Sequence, residues 1–239
     1  MAINEQDMRT VALIGEEALS KIKNSRVALF GVGGVGSFCA EALVRAGVGK
    51  IDLFDCDEVS VSNINRQIIA LHSTVGRKKV EVMKERILDI NPECEVATCT
   101  EFLTEESVTA LDLLSYDYIV DAIDTVSVKL KLAEICYSSG IPIIASMGTG
   151  NKLNPTEFRV ADIFSTKVCP LARAMRSELK RRGVSKLLTV YSEEVPKSQC
   201  APKGEKADGN PAPASISFVP STAGLILASE VIRALSNLK

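Results

Sequence analysis

The 239-residue chain lacks three features that would each point to a particular class of protein. It has little net charge, because 28 basic residues are balanced by 30 acidic ones, whereas a general nucleic-acid coat is usually strongly basic. It has no apolar run near the roughly 18–20 residues of a membrane span, and its longest such stretch covers residues 223–228. None of its seven cysteines forms a C-x-x-C pair, so we expect no structural zinc.

The chain is nevertheless rich enough in apolar residues to form a sizeable core. Hydrophobic residues make up 46% of it, which excludes an intrinsically disordered chain. Acidic residues at Glu5 and Asp7 disagree with the basic-then-apolar pattern of a secretory signal. Seven cysteines without paired spacing suit reduced, mostly buried thiols. We therefore expect a cytoplasmic protein without a membrane span.

Strand-like and helix-like segments alternate along most of the chain, as in a parallel sheet with helices on both faces. The predicted strands cover residues 26–30, 50–55, 93–100, 116–122, 141–146, 157–163 and 186–191. The predicted helices cover residues 75–90, 105–114, 128–138 and 171–182, with a last helix capped near Ser221. We predict an α/β fold with a Rossmann-like, mostly parallel sheet, extended by antiparallel strands in the C-terminal third.

All of these elements are assigned to one domain over residues 1–239. Residues 26–150 are predicted to form a nucleotide-binding core, because a glycine-rich motif follows the first strand of that segment. Residues 151–239 are predicted to face the substrate and to include a basic helix and the final helix. Within this part, residues 192–215 hold four of the nine prolines and are predicted to form a mobile surface loop, a type of segment that often carries function.

The glycine-rich motif opens a predicted helix. It spans residues 31–36 and contains Gly31, Gly33, Gly34 and Gly36. Glycines permit a tight turn there, and bare N–H groups at the positive end of a helix can approach a phosphate. Asp55 and Asp57 follow the second strand, where an acid can accept hydrogen bonds from ribose hydroxyls. This pattern indicates a nucleotide site, and an NAD-dependent oxidoreductase fits it equally well.

Polar residues after the second strand favour a triphosphate over NAD. Asn63, Arg66 and Gln67 follow the ribose acid, and Lys79 belongs to a basic cluster further on. Cations there suit the charge of a triphosphate and stabilise a departing pyrophosphate. Asp124 closes the fourth strand at the carboxyl edge, where a carboxylate can hold Mg²⁺ against phosphates. Each residue alone fits surface charge or a helix cap, but the ordered set points to ATP and Mg²⁺.

In this order the motifs resemble those of the ubiquitin-activating-like adenylating superfamily, also called ThiF/MoeB/HesA. Members of that superfamily adenylate a carboxylate, which attacks the α-phosphorus of MgATP and releases pyrophosphate. The resemblance implies that Asp57 holds the ribose and that Asp124 binds Mg²⁺. It also implies that the phosphates are contacted by Asn63, Arg66 and Lys79.

The resemblance begins at Arg9 and is close as far as about residue 165, while the last helix matches more loosely. In the superfamily an arginine at this place reaches into the site of the partner subunit. The resemblance therefore implies a homodimer, with residues 1–25 as a helical arm at its interface. The catalytic residues implied in this way are Arg9, Arg66, Lys79 and Asp124.

The C-terminal third is similar to one branch of the superfamily. Members that activate sulfur-carrier proteins typically carry two C-x-x-C zinc pairs there, whereas this chain has only Cys169 and Cys200, far apart. The stretch 169–173 (Cys-Pro-Leu-Ala-Arg) is instead similar to that of the tRNA threonylcarbamoyladenosine dehydratases (TcdA), with a cysteine replacing their usual acid. This resemblance implies a tRNA substrate whose threonyl carboxylate is activated and then cyclises. The alternative is an adenylyltransferase for a ubiquitin-like sulfur-carrier protein, which would make a carrier or sulfur-transfer protein the partner.

A local excess of positive charge supports a polyanionic substrate. Residues 167–186 contain seven basic residues and one acid, so this segment carries +6 and the rest of the chain −8. A cationic face on an acidic body suits directed RNA docking. We call the seven residues the basic patch: Lys167, Arg173, Arg176, Lys180, Arg181, Arg182 and Lys186. The segment has no stacking aromatic residue, and an exposed basic helix face is the alternative interpretation.

The predicted cyclisation needs no enzyme nucleophile, because the attacking nitrogen belongs to the substrate. We therefore expect Cys200, in the 192–215 loop, to be an ordinary free thiol rather than a transfer thiol. Two other classes fit the nucleotide motif. One is an NAD-dependent oxidoreductase, which Arg66 and Lys79 argue against, and the other is a catalytically silent docking module.

Overall fold

A computed structural model of the chain describes residues 4–197 and 213–238. Its centre is one seven-stranded sheet with the strand order β3-β2-β1-β4-β5-β7-β6. The strands are β1 Arg26–Phe30, β2 Lys50–Phe54, β3 Glu95–Cys99, β4 Tyr118–Asp121, β5 Ile143–Ser146, β6 Phe158–Asp162 and β7 Leu188–Ser192. Neighbouring strands are parallel except for β6 and β7, which are antiparallel. The predicted Rossmann-like, mostly parallel sheet is therefore confirmed.

Helices cover both faces of this sheet. Those in the described residues are α1 Met8–Ile14, α2 Glu16–Asn24, α3 Gly36–Arg45, α4 Lys79–Ile90, α5 Glu105–Thr109, α6 Val126–Ser139, α7 Pro170–Arg181 and α8 Phe218–Ser236. α4 begins four residues later than predicted. The reason is an antiparallel β-bridge between Glu58 and Lys78, which keeps the residues before α4 out of helical conformation.

The central strands are buried on both faces, which explains their unbroken apolar sequences. In β1, Val27 through Phe30 have no exposed surface. Phe30 stacks on Phe54 at the end of β2, with the ring centroids 4.4 Å apart. Because β1, β2 and β4 run parallel, their carboxyl ends meet at one edge of the sheet. The strand order changes direction between β1 and β4, which is where open α/β sheets bind ligands.

The last helix, α8, begins at Phe218 rather than near Ser221. The Ser221 hydroxyl donates to the Ser217 carbonyl (2.8 Å) from within the helix, so it is not a cap. By length and composition α8 is apolar enough to cross a membrane, since an 18-residue window has a mean hydropathy of 1.4. One face is nevertheless packed on the start of α3, where a Cβ atom on Gly224 would lie 2.2 Å from the Val35 carbonyl oxygen. Part of the apolar surface of α8 is therefore buried inside the protein, as in a core helix.

The predicted 192–215 loop is described only at its two ends. Residues 198–212, with Cys200, lie outside the described residues. The described ends meet at Asn151, whose N–H donates to the Ala214 carbonyl and whose carbonyl accepts from the Lys197 N–H, both at 2.7 Å. Ser215, which follows Ala214, is bound by Asn65, whose side-chain amide donates to the Ser215 carbonyl (3.0 Å). These bonds bring Ser215 to the carboxyl edge of the sheet.

Candidate active site

A cleft of about 360 Å³ lies at the carboxyl ends of β1, β2 and β4. Ten of the residues predicted to bind the nucleotide line it: Gly31, Gly33, Gly34, Asp55, Asp57, Asn63, Arg66, Gln67, Lys79 and Asp124. The described lining does not include Gly36, Arg9 or any residue of the basic patch. The fold thus gathers residues that lie far apart in the sequence at one edge of the sheet.

The glycine-rich loop fits tightly between the strand ends. Gly31 has a φ of +89°, and a Cβ atom there would lie 2.6 Å from the Ala122 carbonyl oxygen. Gly34 lies under α8, with its Cβ position 3.2 Å from Pro220. Gly36 packs against Gly31 at the start of α3, which explains why it does not line the cleft. A backbone without side chains therefore faces the cleft, as an approaching phosphate requires.

The two aspartates after β2 have different surroundings. Asp55 is nearly buried and accepts hydrogen bonds from the N–H groups of Val32 (2.7 Å) and Asp57 (2.9 Å), so it ties the glycine-rich loop to the end of β2. Burial raises the pKa of Asp55 above its ordinary value, and the Lys79 ammonium partly offsets this. The side chain of Asp57 is 63% exposed and accepts from Lys79 Nζ at 2.6 Å. Both aspartates line the cleft, and Asp57 has the more exposed carboxylate.

Two cations, Lys79 and Arg66, line the cleft. The Lys79 side chain is only 7% exposed, and its ammonium also lies 4.0 Å from Asp55. Arg66 Nη1 donates to the Ser62 carbonyl and to Asn65 Oδ1, both at 2.9 Å. Burial lowers the pKa of Arg66, but an arginine remains charged at neutral pH. Positive charge is therefore concentrated beside the glycine-rich loop.

Gln67 carries a buried polar atom without a partner. Its Oε1 makes no hydrogen bond within the described residues, although the residue is buried in the lining of the cleft. An unsatisfied buried acceptor costs about 1–3 kcal/mol, so a donor from a bound molecule would relieve it. Asn63 is also buried, and its Oδ1 accepts from the Ser60 N–H (3.1 Å). The unpartnered oxygen of Gln67 fits a site built for a polar ligand.

Asp124 presents a free carboxylate to the same cleft. It is exposed, lies just before the first turn of α6 and makes no hydrogen bond to the described part of the chain. Those parts of the chain also contain no cluster of three or more His, Cys, Asp or Glu placed to hold a metal. Mg²⁺ commonly binds through one or two carboxylates together with phosphate oxygens and water. Asp124 fits that mode of binding, and a cage made only of protein ligands is not needed.

Sequence reasoning did not identify the apolar walls of the cleft. They are formed by Phe54, Phe102, Leu103, Ile123 and Pro220. Phe102 and Leu103 follow β3, and Phe102 is 68% exposed. The sequence signal that could have identified them is the apolar pair Phe102-Leu103, which stands in a polar segment after a predicted strand. Apolar walls beside a polar end suit a flat heterocycle attached to phosphates.

Sequence reasoning also missed a buried ion pair below the cleft. Lys129 Nζ lies 2.9 Å from Asp121 Oδ1, and the two side chains are 0% and 1% exposed. Burial raises the pKa of Asp121, and the Lys129 ammonium acts against that shift. The signal was a lysine between Val128 and Leu130, on a predicted helix that otherwise buries apolar side chains.

Arg9 lies on α1, outside the cleft of its own chain. α1 has no buried residue, and its Met8 and Leu13 side chains are 59% and 85% exposed. Arg9 itself is exposed and forms no ion pair within the described ranges. The structure of one chain therefore does not bring Arg9 together with the other predicted catalytic residues.

The basic patch lies on α7 and its flanks. Ala172, Met175 and Leu179 are the buried residues of α7. Three patch residues are engaged within the chain: Arg176 with Thr166, Arg181 with Glu178, and Arg182 with Glu105 and Glu134. The other four have no acidic partner in the described residues: Lys167, Arg173, Lys180 and Lys186. The start of α7 adjoins the cleft, because Leu171 lies 3.8 Å from the Cβ position of Gly148, next to the lining residue Thr149.

Comparison with known proteins gives a consistent result. Residues 5–239 match the model of the ThiF family. The tRNA threonylcarbamoyladenosine dehydratase of Bacillus subtilis (strain 168) is 44% identical over 236 residues, which cover 95% of this chain and 93% of that protein. The crystal structure of E. coli tRNA N6-threonylcarbamoyladenosine dehydratase in complex with ATP has a TM-score of 0.88 and 34% identity, covering 99% of this chain and 98% of that one.

A second group of relatives matches less of the chain. The molybdopterin-synthase adenylyltransferase of Salmonella typhimurium (strain LT2) is 37% identical over 131 residues, which cover 55% of this chain and 51% of that protein. The glycine-rich loop, the cations beside it and the free carboxylate at the end of β4 lie in the part of the chain that the family match spans. This chain belongs to the ThiF family.

Proposed function

We propose that this protein is an ATP-dependent tRNA threonylcarbamoyladenosine dehydratase. It activates the threonyl carboxylate of the modified adenosine as an adenylate, which then cyclises. The observation that carries the proposal is the cleft, where a glycine-rich loop, two cations and the free carboxylate of Asp124 converge. They do so in a chain that is similar over 95% of its length to an enzyme of this name.

The first step joins the substrate carboxylate to the α-phosphorus of ATP. A carboxylate oxygen forms the new P–O bond, the bond from the α-phosphorus to the bridging oxygen breaks, and pyrophosphate leaves with that electron pair. Arg66 and Lys79 stabilise the charge that develops on the leaving group. Gly33 and Gly34 let backbone N–H groups approach the phosphates. We expect the Asp57 carboxylate to accept a hydrogen bond from a ribose hydroxyl. The Lys79 ammonium, which now pairs with Asp57, is then free to turn toward the phosphates.

Asp124 is the residue we assign to Mg²⁺. When bound, the ion neutralises phosphate charge and orients the leaving pyrophosphate. The chain contributes an exposed carboxylate that lies after β4 and just before the first turn of α6. We assign no other residue to the metal.

The second step closes a ring within the substrate. A nitrogen of the substrate attacks the activated carbonyl carbon, AMP leaves with the former carboxylate oxygen, and the nitrogen loses its proton. Cys56 is the one cysteine among the described lining residues. Burial and the neighbouring Asp57 and Asp55 carboxylates raise its pKa, so it is a protonated thiol and a poor nucleophile. The cleft thus suits a mechanism in which the substrate supplies its own nucleophile.

The basic patch is proposed to dock the tRNA. Lys167, Arg173, Lys180 and Lys186 face solvent on α7 and its flanks, and the start of α7 adjoins Gly148 beside the cleft. A tRNA bound along this face would place a loop nucleotide at the mouth of the cleft. Phosphate contacts of this kind fix orientation rather than sequence, so the modified base itself must be read inside the cleft.

The protein is further proposed to act as a cytoplasmic homodimer with one adenylating domain per chain. The arm at the interface is assigned to residues 1–25, of which residues 1–3 lie outside the described residues, and Arg9 reaches the triphosphate bound by the partner subunit. Support comes from α1, which buries none of its residues and exposes Met8 and Leu13. Exposed apolar side chains on a helix are typical of a surface that is covered in an assembly.

The decisive experiment incubates the protein with ATP, Mg²⁺ and tRNA that carries threonylcarbamoyladenosine. Nucleosides from the digested tRNA are separated and their masses are determined by mass spectrometry. The amounts of AMP and pyrophosphate are quantified in the same reaction. We expect one AMP for each cyclised nucleoside, whose mass is lower by one water. Absence of both the cyclic nucleoside and AMP would contradict the proposal.

The same preparation tests the other activities considered for this chain. A carrier-protein adenylyltransferase would exchange pyrophosphate into ATP only when a small protein ending in Gly-Gly is added. An oxidoreductase would bind NAD tightly and ATP not at all. The Asp124→Ala variant serves as the control, because it removes the assigned metal ligand and leaves the glycine-rich loop intact.

A further inference from the structure

The buried Lys129–Asp121 pair connects two elements that border the cleft. Asp121 is the last residue of β4, and Lys129 comes from the first part of α6. Removing two charges from water costs several kcal/mol for each ion, and a buried pair is often replaceable by apolar residues without loss of stability. Stability alone is therefore a poor explanation for a fully buried ion pair at this place.

The pair forms hydrogen bonds with one short stretch of backbone. Asp121 Oδ1 accepts from the Ile123 N–H, and Lys129 Nζ donates to the Ile123 carbonyl, both at 3.3 Å. Both backbone polar groups of Ile123, the residue before Asp124, are thus hydrogen-bonded to the pair. Neither Asp121 nor Lys129 is among the described lining residues, so they act from below the cleft.

The same backbone stretch supports the glycine-rich loop. The Cβ position of Gly31 lies 2.6 Å from the Ala122 carbonyl oxygen and 2.9 Å from the Ile123 nitrogen. Any shift of this turn therefore moves the surface on which the loop rests, as well as Asp124. Asp124 and the glycine-rich loop, which must both face the same triphosphate, therefore depend on the position of one turn.

We propose that Lys129 is a positioning residue for adenylation. Through its pair with Asp121 it fixes the turn over residues 121–124, so that Asp124 and the glycine-rich loop are held in register toward the phosphates. This inference rests on the proposed function, since it assigns Lys129 a part in the same site. Outer groups that orient a metal ligand typically change affinity or activity by about 10–100-fold when removed.

The first test needs neither tRNA nor a metal. Deuterium uptake of the peptide that contains Ile123 is measured in the full-length protein, in wild type, Lys129→Met and Lys131→Met. Lys131 lies on the same helix, and its one ion-pair partner among the described residues is Glu134 (3.4 Å), so it is the matched control. We expect faster exchange at Ile123 in Lys129→Met alone. Unchanged exchange in that variant would overturn the proposal.

The second test separates positioning from simple loss of stability. We expect Lys129→Met to lower kcat for AMP formation by about 10–100-fold and to raise the Mg²⁺ concentration for half-maximal rate, with a smaller change in KM for ATP. Lys129→Arg should recover most of the rate, and Lys131→Met should match wild type. A Lys129→Met protein with wild-type kcat and Mg²⁺ dependence would overturn the proposal.

A third variant covers the case in which Lys129→Met does not fold. The double variant Asp121→Asn/Lys129→Met removes both charges and leaves no unpaired ion, so we expect it to fold. Faster exchange at Ile123 together with weaker Mg²⁺-dependent ATP binding supports the proposal, and wild-type behaviour in both refutes it. Because exchange and ATP binding need no tRNA, failure of the proposed dehydratase activity would be recognised separately, in the wild-type nucleoside assay.

Discussion

A Cβ atom on Gly36 would lie 1.8 Å from the carbonyl oxygen of Gly31. The first residue of α3 therefore packs directly on the residue that follows β1, and only glycine leaves room for that oxygen. Gly33 has different surroundings, because its Cβ position is 3.7 Å from the Gln67 amide nitrogen, an ordinary contact distance. One motif thus contains a glycine required for packing and another that keeps the cleft open.

This difference predicts opposite results for two alanine substitutions. Gly36→Ala should lower the free energy of unfolding by about 3 kcal/mol, because backbone atoms on both sides must shift. Gly33→Ala should change it by less than about 1 kcal/mol but weaken ATP binding, since Gly33 lines the cleft. Urea denaturation and calorimetric titration with ATP measure the two effects. A stable Gly36→Ala protein with impaired ATP binding would reverse the assignment of the two glycines.

The sheet and most of the cleft could be predicted because they depend on local sequence. Buried parallel strands such as β1 are unbroken apolar runs, and the glycine-rich motif and Asp55 mark the ends of the first two strands. Parallel strands ending at one edge then bring such residues together without further information.

Other parts of the site depend on packing that no local pattern reports. Lys129 has its partner eight residues earlier, at the end of a strand, and its burial is a tertiary property. Asp55 was predicted to lie beside the ribose, but no pattern in the sequence indicated that its carboxylate also accepts a hydrogen bond from the Val32 N–H. α8 begins before Ser221, since its start is determined by packing on α3 rather than by a capping side chain.

The basic patch predicts a salt-dependent contact with tRNA. Arg173→Ala/Lys180→Ala removes two exposed cations on α7 that have no acidic partner in the described part of the chain. If both contact phosphates, tRNA binding weakens and its logarithmic salt slope falls by about 1.5–2. ATP binding should stay unchanged, because neither residue lines the cleft.

Filter binding at several salt concentrations measures that slope. Arg233→Ala is the matched control, because Arg233 lies on α8 and pairs with Glu230 at 2.9 Å. If the slope does not change in the double variant, or changes equally in the control, α7 does not contact the tRNA and its basic residues are ordinary solvated surface charges.

Glu41 predicts a pH-dependent contribution to stability. It lies on α3 and accepts from Arg45 of the same helix (2.8 Å) and Arg86 of α4 (3.0 Å). Burial opposes ionisation of Glu41, but these hydrogen bonds outweigh it and hold the pKa of the carboxyl below its ordinary value. The unfolded chain then binds more protons at low pH, so the contribution is present above about pH 4.5 and is lost as the pH falls further.

Glu41→Gln should therefore cost about 1–3 kcal/mol at pH 7 and much less at pH 3. Glu85→Gln is the comparison, because the exposed Glu85–Arg77 pair should contribute under about 1 kcal/mol at either pH. Urea denaturation at both pH values gives the four differences. Equal losses for Glu41→Gln at pH 7 and pH 3 would show that the ionised carboxylate is not the source of the stability.

Arg9 predicts an active site shared between two chains. Since Arg9 is exposed on α1 and does not line its own cleft, Arg9→Ala should fold normally yet lose AMP formation. Asp124→Ala should lose it as well, because the assigned metal ligand is gone. In a mixed dimer one cleft combines an intact Asp124 with the partner's intact Arg9, so an equimolar mixture after subunit exchange should regain about a quarter of wild-type activity. AMP formation is measured before and after mixing, with mass spectrometry of the intact dimers to verify exchange. If heterodimers form and remain inactive, Arg9 does not serve the cleft of the other subunit.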